Sequence, residues 1–291
     1  MVWRYLLLFT GVFACSTAAI MIKASTTHPL VLAALRLLLA AALLSPVFAR
    51  EWQRHPGAYT RTHLRRSVLP AFVLALHFLS WSYGARMTLS AQASLIVNLV
   101  PVALPFLLLG LTGERINRTE IAGTALALAG VAALTARDAL AGGGDAWGNA
   151  VCFGSMLLFA TYLALGRKNR DFPSLWLYVV PVYALAGLIC LAVAAPALHT
   201  FDLGSGREWA LMVALACVPT IIGHSLLNQA MRHLRGQIVS LCNVGQFVFA
   251  GVLAYFLFDE RPTLAFYAGS ALVVGGIALV VFAAPPPPRL R

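Results

Sequence analysis

A chain of 291 residues that is 60% hydrophobic and only 11% charged, with a mean hydropathy of +0.82, is no ordinary soluble domain. Charged residues make up about a quarter of such domains. The net charge of +11 invites a nucleic-acid partner, but no basic face interleaved with exposed aromatics accompanies it, so that class is excluded too.

Cuts at charge and turn clusters predict ten apolar spans of roughly 20 residues, the length that crosses the hydrocarbon core. The first, 4–24, follows Met1-Val2-Trp3-Arg4 directly. No small-residue cleavage site precedes a polar mature region, so this span reads as a retained helix and not a signal peptide. Lys23 falls at its end, at the interface. The second span, 29–49, opens at Pro29 and carries Arg36 about 10 Å along its axis. Arg36 offers a fixed positive charge to a carboxylate or phosphate, or else it snorkels or is capped by carbonyls. The longest connection follows, from Arg50 to Arg66.

The third span, 67–85, places His77 and Trp81 one turn apart on one face. Trp81 is also close enough to the interface to join the aromatic belt, as are Trp3, Trp147, Trp176 and Trp209. The fourth, 90–111, holds Asn98 just before Pro101 and Pro105. Those prolines free the carbonyls of Val97 and Pro101, and such loosened backbone is tolerated where it lines a cavity. The fifth, 119–136, carries Gly123, Ala127 and Gly130, a row suited to close helix packing.

The sixth span, 147–166, offers Tyr162 as a cavity hydroxyl, and the seventh covers 174–196. The eighth, 208–231, carries His224 and Asn228 with the spacing of His77 and Trp81. The ninth, 237–258, holds Asn243 and Gln246, which share a face. The tenth, 263–283, repeats the small residues as Gly269, Gly275 and Gly276, and the tail Pro285-Pro286-Pro287-Pro288 is an extended stub.

The chain is also a duplication. Tyr83 to Leu134 recurs without a gap 146 positions later: Arg86 matches Arg232, Ser94-Leu95 matches Ser240-Leu241, and Glu114-Arg115 matches Glu260-Arg261. Gly123 and Gly130 match Gly269 and Gly276. Each copy has five spans, an odd number, so the second starts on the opposite side of the membrane from the first. Of the 21 Lys and Arg, 15 fall in connections on one side, 5 on the other, and Arg36 lies within a span. The positive-inside bias then puts both termini in the cytoplasm. The expected fold is an all-α membrane protein of ten transmembrane helices, built as two inverted five-helix repeats, the arrangement of many transporters.

These residues carry a resemblance. Tyr83-Gly84-Ala85, Ser90-Ala91, a fourth span with Pro101 and Pro105, Gly113-Glu114-Arg115 and a Gly-rich fifth span resemble the EamA repeat of the drug/metabolite transporter superfamily. The second copy is similar through Asp259-Glu260-Arg261, Gly269 and Gly275-Gly276. Lys23, Pro29 and Arg36 also fit, and copy two answers with Arg167 and Pro173, but with Val180 in place of Arg36. The resemblance implies repeats at 1–139 and 140–284, a Pro-rich cytoplasmic tail at 285–291, and a ten-helix exporter or exchanger of small metabolites in a bacterial plasma membrane.

The candidate substrate-binding residues are Arg36, His77, Trp81, Asn98, Tyr162, His224, Asn228, Asn243 and Gln246, because polar groups within spans are costly unless they serve a site. His77 and His224 stand 147 apart and read as near-equivalents. Each also fits a buried His that donates to a backbone carbonyl, and Asn243 and Gln246 also fit an interhelical hydrogen bond. All ten acidic residues fall in connections or at span ends, which argues against a cation pump with an intramembrane Glu. Proton coupling would have to use His77 or His224. The five cysteines lie within spans with no CxxC, as packing residues and not metal ligands.

The function expected is movement of a small neutral, zwitterionic or anionic solute, such as an amino acid, by alternating access. No cofactor, metal or nucleic acid is expected. The partners are the solute and the lipid bilayer, a monomer suffices, and the oligomeric state is open. The alternative, an integral-membrane enzyme, lacks HExxH, GxSxG, a P-loop or a mid-span carboxylate to orient a His.

Overall fold

The computed structural model describes residues 2–87, 93, 96–140, 146–202, 204–249, 252–253 and 264–283, without the side chains of 2, 19, 23, 133–140 and 264–266. Ser90-Ala91, Ser94-Leu95, Asp145, Gly251, Asp259-Glu260-Arg261 and the Pro285–Pro288 tail lie outside the described residues, as do the side chains of Lys23, Arg137 and Asp138.

Every regular element among the described residues is helical: α1 (Val2–Ser16), α2 (Ala18–Ala24), α3 (Pro29–Arg54), α4 (Arg61–Met87), α5 (Val100–Thr112), α6 (Arg118–Leu140), α7 (Ala146–Lys168), α8 (Leu175–Ala194), α9 (Gly206–Leu215), α10 (Ser225–His233), α11 (Gly236–Val244) and α12 (Leu264–Phe282). A 3₁₀ turn, Ala195–Thr200, follows α8, and a π-helix, Ala216–His224, joins α9 to α10. Six stretches are long and apolar enough to cross a membrane: Trp3–Ile22, Pro29–Arg54, Arg61–Met87, Ala146–Lys168, Leu175–Thr200 and Gly206–His233. Val100–Thr112, Gly236–Phe249 and Tyr267–Phe282 are shorter apolar helices. Phe106 and Phe282, 75% and 89% exposed, belong to an apolar exterior that only a lipid environment tolerates.

Four places depart from simple helix, and each has a local cause. Between α1 and α2, the hydroxyls of Ser16 and Thr17 turn back onto the carbonyls of Phe13 (2.6 Å) and Ala14 (2.8 Å) and compete with the helical ladder. Before α5, Asn98 and Leu99 form a turn that Pro101 makes hard to continue as helix, so Asn98 sits at a break and not in a continuous span. Copy two breaks at Gly245, the repeat-equivalent of Leu99. The π-helix contains Pro219, and the Thr220 hydroxyl donates to the carbonyl of Leu215 at 2.8 Å, five residues back. The carbonyl that Pro105 frees, that of Pro101, accepts from the Gln237 side chain at 3.1 Å.

The packing follows the repeat. Equivalent helices meet, α3 on α8 and α6 on α12, while α1 packs on the π-helix and α10 as α4 packs on α7. The α6–α12 contact brings backbone close to backbone. A Cβ at Gly123 would stand 2.7 Å from the Gly276 carbonyl oxygen, and one at Gly130 would stand 2.6 Å from that of Gly269. Gly123 and Gly269 are repeat-equivalent, as are Gly130 and Gly276, so this is one contact made twice, with the two helices running in opposite senses. The small-residue rows serve packing, as expected.

The ends are fastened across the copies. At the Arg-rich end, Gly113 (φ +71°) caps α5 in the left-handed conformation and turns Glu114 inward. Glu114 pairs with Arg167 at 2.9 Å and accepts the Gly236 N–H at 2.9 Å. Arg167 also donates to the Met231 carbonyl at 2.8 Å. Glu120 pairs with Arg235, and Arg66 forks onto Asp171 at 2.8 and 2.6 Å while donating to Asn169 at 3.0 Å. At the other end, buried Glu208 accepts from the hydroxyls of Ser25 and Thr27 and the N–H of Thr26. Arg86 donates to the carbonyls of Ile22, Ser25 and Thr27 at 3.2, 3.0 and 2.8 Å.

Candidate functional site

Between the copies lies a cavity with about 670 Å³ of empty space, counting its open mouth. Its walls come from the α1–α2 break (Cys15, Ser16, Ala18), α3 (Arg36), α4 (His77, Phe78, Trp81), the turn before α5 (Val97, Asn98), α7 (Phe159), the π-helix (Pro219, His224) and the α11 end with the helix after it (Asn243, Gln246, Phe247). Three of the four departures from simple helix therefore line it directly, and the fourth, at Gly245, lies between Asn243 and Gln246. Broken helices turned toward a site between repeats are a recurring transporter device.

Arg36 is 1% exposed. Its Nε donates to the Thr220 hydroxyl at 2.9 Å, and its guanidinium carbon lies 4.4 Å from the centre of the Phe78 ring. Nη1 and Nη2 make no hydrogen bond, and among the described residues no carboxylate reaches ion-pair distance. The snorkelling and carbonyl-capped readings fail: the side chain turns into the bundle and its one partner is a hydroxyl.

His77 shows the plainer of its two expected contacts while still facing the cavity. Its Nδ1 lies 3.0 Å from the Ser155 carbonyl and 2.9 Å from the Ser155 hydroxyl, and its ring stacks on Phe159 at 4.8 Å. The ring of His224 stands 6.4 Å away, with Nδ1 unbonded. The two are not repeat-equivalent. At the offset of 146, His77 corresponds to Gly223, which packs against Cys15 of α1, where a Cβ would stand 3.2 Å from the Cys15 nitrogen. His224 is the neighbour of the true counterpart.

Trp81 is 9% exposed and lines the cavity, so it does not belong to the aromatic belt. Trp3, Trp147 and Trp209 are 68%, 66% and 43% exposed, as belt residues should be. Asn243 accepts from Gln246 three residues on, across the break at Gly245, so the bond joins neighbours of one span and not two packed helices, and both line the cavity. Asn228 and Tyr162 stand one layer behind. The Asn228 amide donates to the Tyr162 hydroxyl at 2.7 Å and to the His224 carbonyl at 2.8 Å, and its oxygen packs against Gly166.

The EamA-like transporter family model matches residues 2–136 and again 146–282. The chain belongs to this family. An uncharacterized transporter of Archaeoglobus fulgidus is 26% identical over 232 residues, spanning 78% of each chain. A solved crystal structure shares the fold, with a TM-score of 0.78 over 98% of both chains at 21% identity. The protein is an EamA-family, multi-pass membrane transporter. In this EamA chain the sequence reading missed Ser16 in the wall and, behind the wall, Ser155 and Thr220, which hold His77 and Arg36. Thr220 had a usable signal, since Pro219-Thr220 within a span repeats the polar-beside-proline pattern that marked Asn98. Ser155 had none, because its role appears only when α7 meets α4.

Proposed function

We propose that this EamA-family protein moves a small organic solute across the plasma membrane by alternating access, as an exporter or exchanger. The solute is neutral, zwitterionic or anionic, such as an amino acid. The reading comprises ten spans in two inverted repeats, at 1–139 and 140–284, with the tail 285–291 and both termini cytoplasmic. One observation carries it: the Gly123–Gly276 and Gly130–Gly269 contacts are equivalent to each other under the repeat, on oppositely directed helices. That pairing is what an axis lying in the membrane plane produces, and such an axis gives a central site two equivalent routes.

The wall residues are the proposed binding set: Arg36, His77, Trp81, Asn98, His224, Asn243 and Gln246. Asn228 and Tyr162 support it by bracing His224. Among the described residues the lining contains Arg36 and no carboxylate, which favours neutral to anionic solutes over cations. Counterflow in liposomes across the common amino acids and short organic acids tests the reading. Substrate-dependent exchange is expected, with His77→Ala and Asn98→Ala slowing it at normal expression. Absence of exchange across the panel sinks the transport reading. Side-specific labelling of a cysteine placed in the tail tests the orientation.

A further inference from the structure

We propose that Arg36 is the carboxylate anchor of the transported solute, with Thr220 of the π-helix as its positioning residue. The proposal rests on the transport reading above and narrows it to solutes that carry a carboxylate. A guanidinium removed from water with no counter-charge is costly to keep, and here it is kept at the wall of a cavity. The chemistry that offsets such a charge is an anion brought in from outside.

The geometry selects among anions. Nε is occupied by Thr220 and the Phe78 ring covers one face, so the two free donors are Nη1 and Nη2. They form the planar fork that takes two carboxylate oxygens side by side. Among the described residues that line the cavity, Arg36 is the one Lys or Arg. A single positive charge balances a carboxylate, whereas a phosphate monoester, near −2, is left half-compensated. The remaining polar wall, with Asn243 and Gln246, supplies neutral donors and acceptors for the rest of the solute.

Thr220 earns its role through proton direction. Its hydroxyl proton goes to the Leu215 carbonyl, so its oxygen is left to accept from Arg36 Nε. That arrangement depends on the π-turn, in which Leu215 lies five residues before Thr220. The π-helix therefore sets the plane of the guanidinium, and with it the direction in which the fork faces.

The test is counterflow in liposomes with the common amino acids and short α-hydroxy and α-keto acids, each beside its methyl ester or primary amide. Wild type should carry the acid and discriminate against ester and amide by about tenfold or more, the value of one charge-assisted fork. Arg36→Gln should abolish that discrimination, and Arg36→Lys, which keeps charge without the fork, should restore only part of it. Thr220→Val should raise the half-saturation concentration for acids while leaving that for esters unchanged; a merely structural defect would move both. Equal transport of acid and ester by wild type, unchanged acid affinity in Arg36→Gln, or a preference for phosphate monoesters overturns the proposal. If wild type carries nothing, the transport reading has failed and the anchor is read by binding. Acids that raise the melting temperature of wild type but not of Arg36→Gln sustain it, and no such protection overturns it.

Discussion

The loops at 25–28 and 169–174 occupy the same place in the two copies, and each is clamped by a residue near the start of a helix from the other copy. The chemistry differs. Glu208 of α9 holds Ser25, Thr26 and Thr27 through neutral donors in a buried setting. Arg66 of α4 holds Asn169 and Asp171, and its ion pair is 34% and 58% exposed. The loop-holding arginines also correspond: Arg86 grips the Ile22 carbonyl of α2 and two carbonyls of the first loop, and Arg232 one carbonyl, that of Phe172, of the second. Duplication thus preserved where the ends are fastened while letting the fastening diverge. At the Arg-rich end ion pairs cross between the copies. At the other end neutral donors make the cross-copy grip, and the Glu208 ion pair is with its own neighbour, Arg207, at 3.4 Å. The two should therefore answer differently to salt and mutation.

The largest expected effect breaks the ionic end. Glu114→Ala leaves Arg167, 3% exposed, without its carboxylate, and should cost about 3 kcal/mol or more in thermal unfolding in detergent. Pairing it with Arg167→Met should recover much of that loss. If the single substitution is silent, the pair does not fasten this end. An intermediate effect tests the other end. Glu208→Ala strands three donors and should cost about 1–3 kcal/mol, with faster hydrogen exchange confined to residues 25–28. Protection unchanged in that loop would refute the clamp.

The smallest effect concerns the exposed pair. A double-mutant cycle on Arg66 and Asp171 should give a coupling of about 0–1 kcal/mol that shrinks with added salt, while a cycle on Glu208 and Thr27, a charge on a neutral hydroxyl, should change less. Arg66 holds the Asp171 carboxyl below the usual carboxylate range. Its contribution is present at neutral pH and fades only as the pH falls into acid, below the ordinary carboxylate value. Coupling lost between pH 8 and pH 6 would contradict that assignment.

Much of this was legible in the sequence, for physical reasons that also mark the limit. The repeat, the small-residue rows of α6 and α12 and the polar residues at mid-span all carry local signals, and seven of the nine candidate side chains meet at one cavity. Facing was harder to read. A helix apolar all round shows no stripe, so nothing in α4 said whether Trp81 looks to lipid or inward. Asn228 and Tyr162 pair with each other across α10 and α7, a relation visible only after those helices pack. The π-helix was missed because one extra residue in a turn leaves no compositional trace, yet it decides where Thr220 and His224 point.

The contact between α6 and α12 has a consequence for origins. Because it joins Gly123 to Gly276 and Gly130 to Gly269, it is self-complementary and asks for one sequence only. Two separate half-length chains placed antiparallel would meet the same contact without any linker. The fused gene inherits an interface that an antiparallel homodimer could already assemble, and any bulky residue admitted there by either half damages the seam that both share.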